Sequence, residues 1–149
     1  MSTVLFVGKF SKSLILDIRN HLGCTPEEIK ETENPHVASR LVQSHVIMPN
    51  LIIIRITAEY GPTTGSEIAW DLRAKDIDIP IVFILPKDAD PMLRSEVQLL
   101  SPTFLYDEFS FQELDLEISI GKRVCPGRGY RFPCSLCEDC STPLVPVQL

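Results

Sequence analysis

The sequence predicts a doubly wound α/β domain, with a five-stranded parallel sheet covered by helices on both faces. Three observations carry that expectation. The runs Leu51–Ile54 and Ile81–Leu85 are apolar without alternation, as strands buried on both faces require. Strand-like and helix-like patterns alternate five times between residues 2 and 123. The chain of 149 residues is about one domain's worth, enough to bury most of the surface its unfolded form exposes.

Each element has its own signal. Val4–Val7 is an apolar run of strand length. After Ser11, the positions Leu14, Ile15, Ile18 and Leu22 fall at helical spacing, and Gly23 can end the helix. In TPEEIKETEN, Thr25, Pro26 and Glu28 look like a helix cap, yet Ile29 is the only large apolar residue, so the stretch reads as a short edge strand. Asn34 and Pro35 open a helix with Ala38, Leu41, Val42, His45 and Val46 on one face. Leu51–Ile54 is the next strand. The loop AEYGPTTG leads into the helix SEIAWDLRAKD, with Ile68, Ala69 and Leu72 inward. Ile81–Leu85 is the fourth strand, and Asp90 with Pro91 caps and starts a short helix through Leu100. Phe104–Tyr106 reads as the last strand. Ser110 and Glu113 form a capping box for a helix carrying Phe111, Leu114, Leu116, Ile118 and Ile120.

After Val124 the periodicity stops. Residues 1–124 are therefore read as one domain and 125–149 as an irregular Cys-rich tail. A formal charge of −6, with no long basic stretch, argues against a general nucleic-acid or membrane-surface binder. The apolar runs are too short to cross a bilayer, and MSTVLFVGKF lacks the layout of a secretory signal, so a cytoplasmic protein is expected.

Residues 2–123 resemble the receiver domain of two-component response regulators. VLFVGKFSKSLILDIRNHLG looks like the receiver's first strand and helix, and MPNLIIIRITAEYGPTTGSEIAWDLR like its third strand, loop and helix. IPIVFIL and TFLYDEF are similar to the fourth and fifth strands. The resemblance implies a flavodoxin-like sheet of order 2-1-3-4-5. It also sets a chemical expectation, because receiver phosphotransfer needs an aspartate nucleophile, two further acids for Mg²⁺, a hydroxyl and a lysine.

None of these is present. The strand-end acids align with Gly8 and Lys9, the nucleophile with Arg55, the hydroxyl with Leu85, and the lysine and its following proline with Asp107 and Glu108; a loop glycine is matched by Gly65. The resemblance thus implies a degenerate phosphorylation pocket, with no Mg²⁺ bound and no catalysis. Arg55 and Asp107 reverse the polarity of a pair that are hydrogen-bonding neighbours in the family. They either form an ion pair, with Lys9 competing for the same carboxylate, or both face solvent.

Phe104 aligns with the receiver aromatic whose rotamer reports phosphorylation, and with Tyr106 it marks a candidate interaction face; a plain core role is the alternative. Trp70 and Tyr60 are either interface anchors or half-buried packing residues. His21, His36 and His45 have no acid or nucleophile at telling spacing and read as surface residues. Cys24 reads as a core or loop thiol.

Cys125, Cys134, Cys137 and Cys140 are four thiols within 16 residues. In a reducing compartment such a cluster suggests metal ligation. Zinc and an iron–sulfur cluster both use four thiolates, but the spacing here is typical of neither, and free thiols are the third possibility. The expected function is a non-catalytic pseudo-receiver that binds a protein partner, with homodimerisation open. The alternative is a metal- or redox-sensing regulator working through the tail. An enzyme with an unrecognised site is a third, weaker possibility.

Overall fold

Residues 3–56, 64–75, 79–100 and 104–121 are described by the structure, a computed structural model. Five strands, β1 (Val4–Val7), β2 (Ile29–Thr32), β3 (Leu51–Arg55), β4 (Ile81–Leu85) and β5 (Leu105–Tyr106), form one sheet. All neighbours pair in parallel, in the order β2-β1-β3-β4-β5. This is the expected architecture. The helices between them are α1 (Lys12–Leu22), α2 (Pro35–Gln43), α3 (Thr64–Ala74), α4 (Pro91–Leu100) and α5 (Phe111–Gly121).

Side-chain alternation splits the buried strands between two cores. Leu5, Val7, Ile52, Ile54, Phe83 and Leu85 pack against Ala38 and Val42 of α2, Ile68 and Leu72 of α3, and Leu93 and Val97 of α4. Val4, Phe6, Ile53, Val82 and Ile84 face the other way, against Ile15 and Ile18 of α1 and Leu114 and Ile118 of α5. Three helices cover one face and two the other. The unbroken apolar runs in the sequence are the consequence.

Local chemistry sets the boundaries. Ser11 Oγ accepts from the Leu14 N–H at 3.2 Å to start α1, and Gly23, at φ +74°, ends it in the left-handed conformation that glycine adopts freely. The ambiguous TPEEIKETEN stretch satisfies both of its signals. Glu28 Oε1 accepts from the Thr25 N–H at 2.9 Å to cap a 3-10 turn over Pro26–Glu28, and β2 follows directly. Ser110 and Glu113 make the reciprocal capping box of α5.

Three expectations need correction. First, α2 ends at Gln43, so His45 and Val46 are not on its face. A C-terminal motif stops it: the His45 N–H donates to Val42 O and the Val46 N–H to Leu41 O, with His45 at φ +60°. Val46 is left 69% exposed. Second, in α5 the inward residues are Leu114, Glu117, Ile118 and Ile120, while Phe111 and Leu116 are exposed, because position 116 falls on the far side of the helix. Third, β5 is shorter than expected: Phe104 precedes the strand. Trp70 is 51% exposed, which leaves both of its readings open, and Tyr60 lies outside the described residues.

Candidate functional site

In a parallel sheet of this order, the switch point lies between β1 and β3, where successive connections leave in opposite directions, and ligands bind beyond the carboxyl ends of the strands there. Gly8 and Lys9 follow β1, Arg55 ends β3, and Asp107 follows β5. The fold therefore brings four of the five expected pocket positions to one rim.

The rim is filled by the chain itself. Arg55 Nε donates to Asp107 Oδ1 at 3.1 Å and Nη2 to Oδ2 at 3.3 Å, a two-pronged pair. The third nitrogen, Nη1, donates to the carbonyl oxygen of Lys9 at 2.8 Å. One guanidinium thus ties the ends of β1, β3 and β5 together. Both side chains of the pair are about one-third exposed, 33% for Arg55 and 30% for Asp107. Of the two geometries open from sequence, the paired one is found. Lys9 meets Arg55 through its backbone oxygen.

Gly8 has a reason of its own. It sits at φ +109°, and a Cβ added there would lie 2.5 Å from the backbone oxygen of Arg55. No side chain fits without moving β1 or β3, so the glycine allows the close approach that seals the switch point. Its N–H donates to Thr32 O at 2.9 Å, carrying the β1–β2 ladder one residue past the end of β1.

Leu85 is the position that does not join the rim. Its side chain is 0% exposed in the core beneath α2–α4, and only its carbonyl contributes, accepting from the Asp107 N–H at 2.9 Å. Glu108 is at φ +67°, a conformation closed to the proline that the resemblance places there. Its carboxylate pairs with Lys87 on the surface. Gly65 lies in the first turn of α3.

Mg²⁺ needs oxygen ligands, usually one or two carboxylates. Glycine, lysine and arginine at positions 8, 9 and 55 supply no side-chain oxygen, and Asp107 is engaged by Arg55. The residues present do not fit the ion. No group of three or more His, Cys, Asp or Glu residues among the described residues is placed to hold a metal. Cys125, Cys134, Cys137 and Cys140 lie outside the described residues.

The chain is similar to solved structures of receiver domains. The receiver domain of Francisella response regulator 1452 is 20% identical, with 81% of this chain and 96% of that chain covered and a TM-score of 0.57. The signal receiver domain of a putative LuxO repressor protein from Vibrio parahaemolyticus is 17% identical, over 81% and 92% of the two chains, at 0.58. The response regulator StyR is 22% identical at 0.54, and the match spans 81% of this chain and 59% of StyR. This is the receiver fold. No protein-family model matches the sequence, and neither does any curated protein.

Within the receiver fold, Phe104 is partly buried against the α2–α4 core and meets Tyr106 edge-on, with ring centroids 5.2 Å apart. Tyr106 is 38% exposed beside it. A second contact, between α1 and α5, has no signal in the sequence. His21 Nε2 lies 2.8 Å from Asp115 Oδ1, and its ring stacks on Phe111 at 4.5 Å. The partners are 94 residues apart, so no local spacing could reveal them. Cys24 packs against the α1/α5 core, and burial, then the neighbouring Glu28 carboxylate, raises its thiol above the ordinary value. A thiol held protonated in this way is a poor nucleophile. Among the described residues no helix is long and apolar enough to cross a membrane.

Proposed function

We propose that this protein is a non-catalytic pseudo-receiver, a cytoplasmic signalling module that presents one fixed surface to a protein partner and is not phosphorylated at the usual position. The observation that carries the reading is the Arg55 clamp. A guanidinium stands where a carboxylate nucleophile would be needed, and its donors are already taken by Asp107 and the Lys9 carbonyl. In a receiver the coupling of these strand ends changes with phosphorylation. Here a permanent ion pair makes that connection, so the surface near β5, with Phe104 and Tyr106, has no phosphorylation to answer to.

The test is treatment of the purified protein with acetyl phosphate and Mg²⁺, followed by intact-mass measurement. The mass is expected to stay unchanged. A stable adduct of one phosphoryl group would overturn the reading.

A second reading rests on the four tail cysteines. Thiolates crowded into 16 residues repel one another and oxidise readily unless a cation neutralises them. In this reading the tail takes zinc or an iron–sulfur cluster and serves as input, with the receiver-like body as output. Metal analysis of protein prepared without oxygen separates the two: about one equivalent of zinc, or several of iron together with sulfide, supports the second reading, and absence of both metals removes it.

A further inference from the structure

The two edges of the sheet are secured differently. At one edge, β2 has four residues and four register pairs with β1. At the other, β5 has two residues and only the pairs Ile84↔Leu105 and Leu85↔Tyr106, short of the usual strand length of roughly three to ten residues. Within β5, Leu105 is buried, while Tyr106 is half-exposed on the open side. A ladder this short, anchored by one buried side chain, is a weak hold.

Charge closes the carboxyl end of the segment. Two successive acids each meet a cation from a different strand end. Asp107 takes two nitrogens of Arg55, at the end of β3, and Glu108 pairs with Lys87, just after β4. The Asp107 N–H adds one ladder bond, to Leu85 O. Glu108 lies in the left-handed region, which disfavours a non-glycine residue, so backbone preference does not keep this turn closed.

The flanks do not depend on the turn. α5 starts after it with the Ser110–Glu113 capping box and keeps Leu114 and Ile118 in the core. β4 is paired on its other side with β3. Residues 104–108 can leave the sheet while both neighbours stay folded, as a local opening.

We infer that the Arg55–Asp107 and Lys87–Glu108 pairs form a charge latch on β5. When the latch is broken or screened, residues 104–108 open locally and release the Phe104–Tyr106 surface while the rest of the sheet stays folded. This gives a regulator, the ionic surroundings, to the surface proposed above, and in that respect rests on the pseudo-receiver reading. The acetyl phosphate result does not depend on the latch, so the two fail separately. Both pairs are open to mobile ions: Arg55 and Asp107 are about one-third exposed, and Lys87 and Glu108 more than half. The screening length falls from about 30 Å at 0.01 M salt to about 3 Å at 1 M.

The test is amide hydrogen exchange of the full ¹⁵N-labelled chain, read by NMR in low, rising urea at both salt concentrations. The Leu105 and Asp107 amides, which point toward β4, are expected to exchange through an opening with little urea dependence. Ile53 and Ile84, bonded within the sheet on the far side from β5, should exchange later, with the full urea dependence of global unfolding. High salt, or Asp107→Asn at low salt, should each speed the Leu105 amide by roughly tenfold. In Asp107→Asn the remaining salt effect should shrink, because only Lys87–Glu108 is left to screen. Lys87→Met, at an exposed site away from the core, should speed the same amide by roughly twofold. Exchange of Leu105 and Asp107 with the urea dependence of Ile53 would mean that β5 opens only with the whole domain, and would overturn the inference. So would a Leu105 rate unmoved by the salt or by Asp107→Asn.

Discussion

The buried middle of the sheet and its carboxyl rim are held by different kinds of contact. In β1, β3 and β4 every residue but Arg55 is buried, and the apolar runs are those any doubly wound domain requires. At the rim, a few ångströms away, Gly8, Lys9, Arg55 and Asp107 differ in charge or size from what receiver chemistry needs. The core is held by area and shape, for which many sequences serve. The rim is held by a few polar contacts, which can be exchanged for another self-consistent set without disturbing the strands beneath. The same fold can therefore carry different residues at its rim.

That contrast can be broken first at Gly8. Gly8→Asp, which reinstates an acid, should destabilise the domain by about 3 kcal/mol, from the left-handed backbone and the collision with the Arg55 carbonyl. Urea unfolding measures it; a cost near zero would mean that the switch point is open. Arg55→Ala and Asp107→Ala come next, each at about 1–2 kcal/mol, because each leaves a partly buried charge without its partner. Away from the rim, His21→Ala should cost about 0.5–1 kcal/mol through the lost stack on Phe111 and the pair with Asp115. The smallest effect is of opposite sign. His45→Gly should stabilise by about 0.5 kcal/mol, since glycine relieves the left-handed strain at the end of α2.

How much was legible followed from range. The fold depends on periodic burial and on caps, which are written within ten residues of where they act: Ser11, Gly23, Asn34 and Ser110 all function as their neighbourhoods imply. The end of α2 is not legible because a histidine, rather than glycine or asparagine, occupies the left-handed position there. At the rim, the sequence identified the residues and the polarity reversal but left the geometry open, since pairing across 52 positions depends on where two strands end. The role of Gly8 was legible only as a missing acid. Its steric need comes from the Arg55 backbone and belongs to the assembled sheet. The His21–Asp115 contact had no signal at all, being made by two helix surfaces that meet only in the folded state.

The central claim, that the reversed pair fixes the rim in one state, is tested most directly by a double-mutant cycle on Arg55 and Asp107, with stability measured by urea unfolding of all four proteins. The predicted result is a coupling of about 1–2 kcal/mol, the double variant losing less than the sum of the two single losses. Additive losses, with a coupling indistinguishable from zero, would mean that the two charges act independently in solvent, and the account of a clamped rim would be wrong.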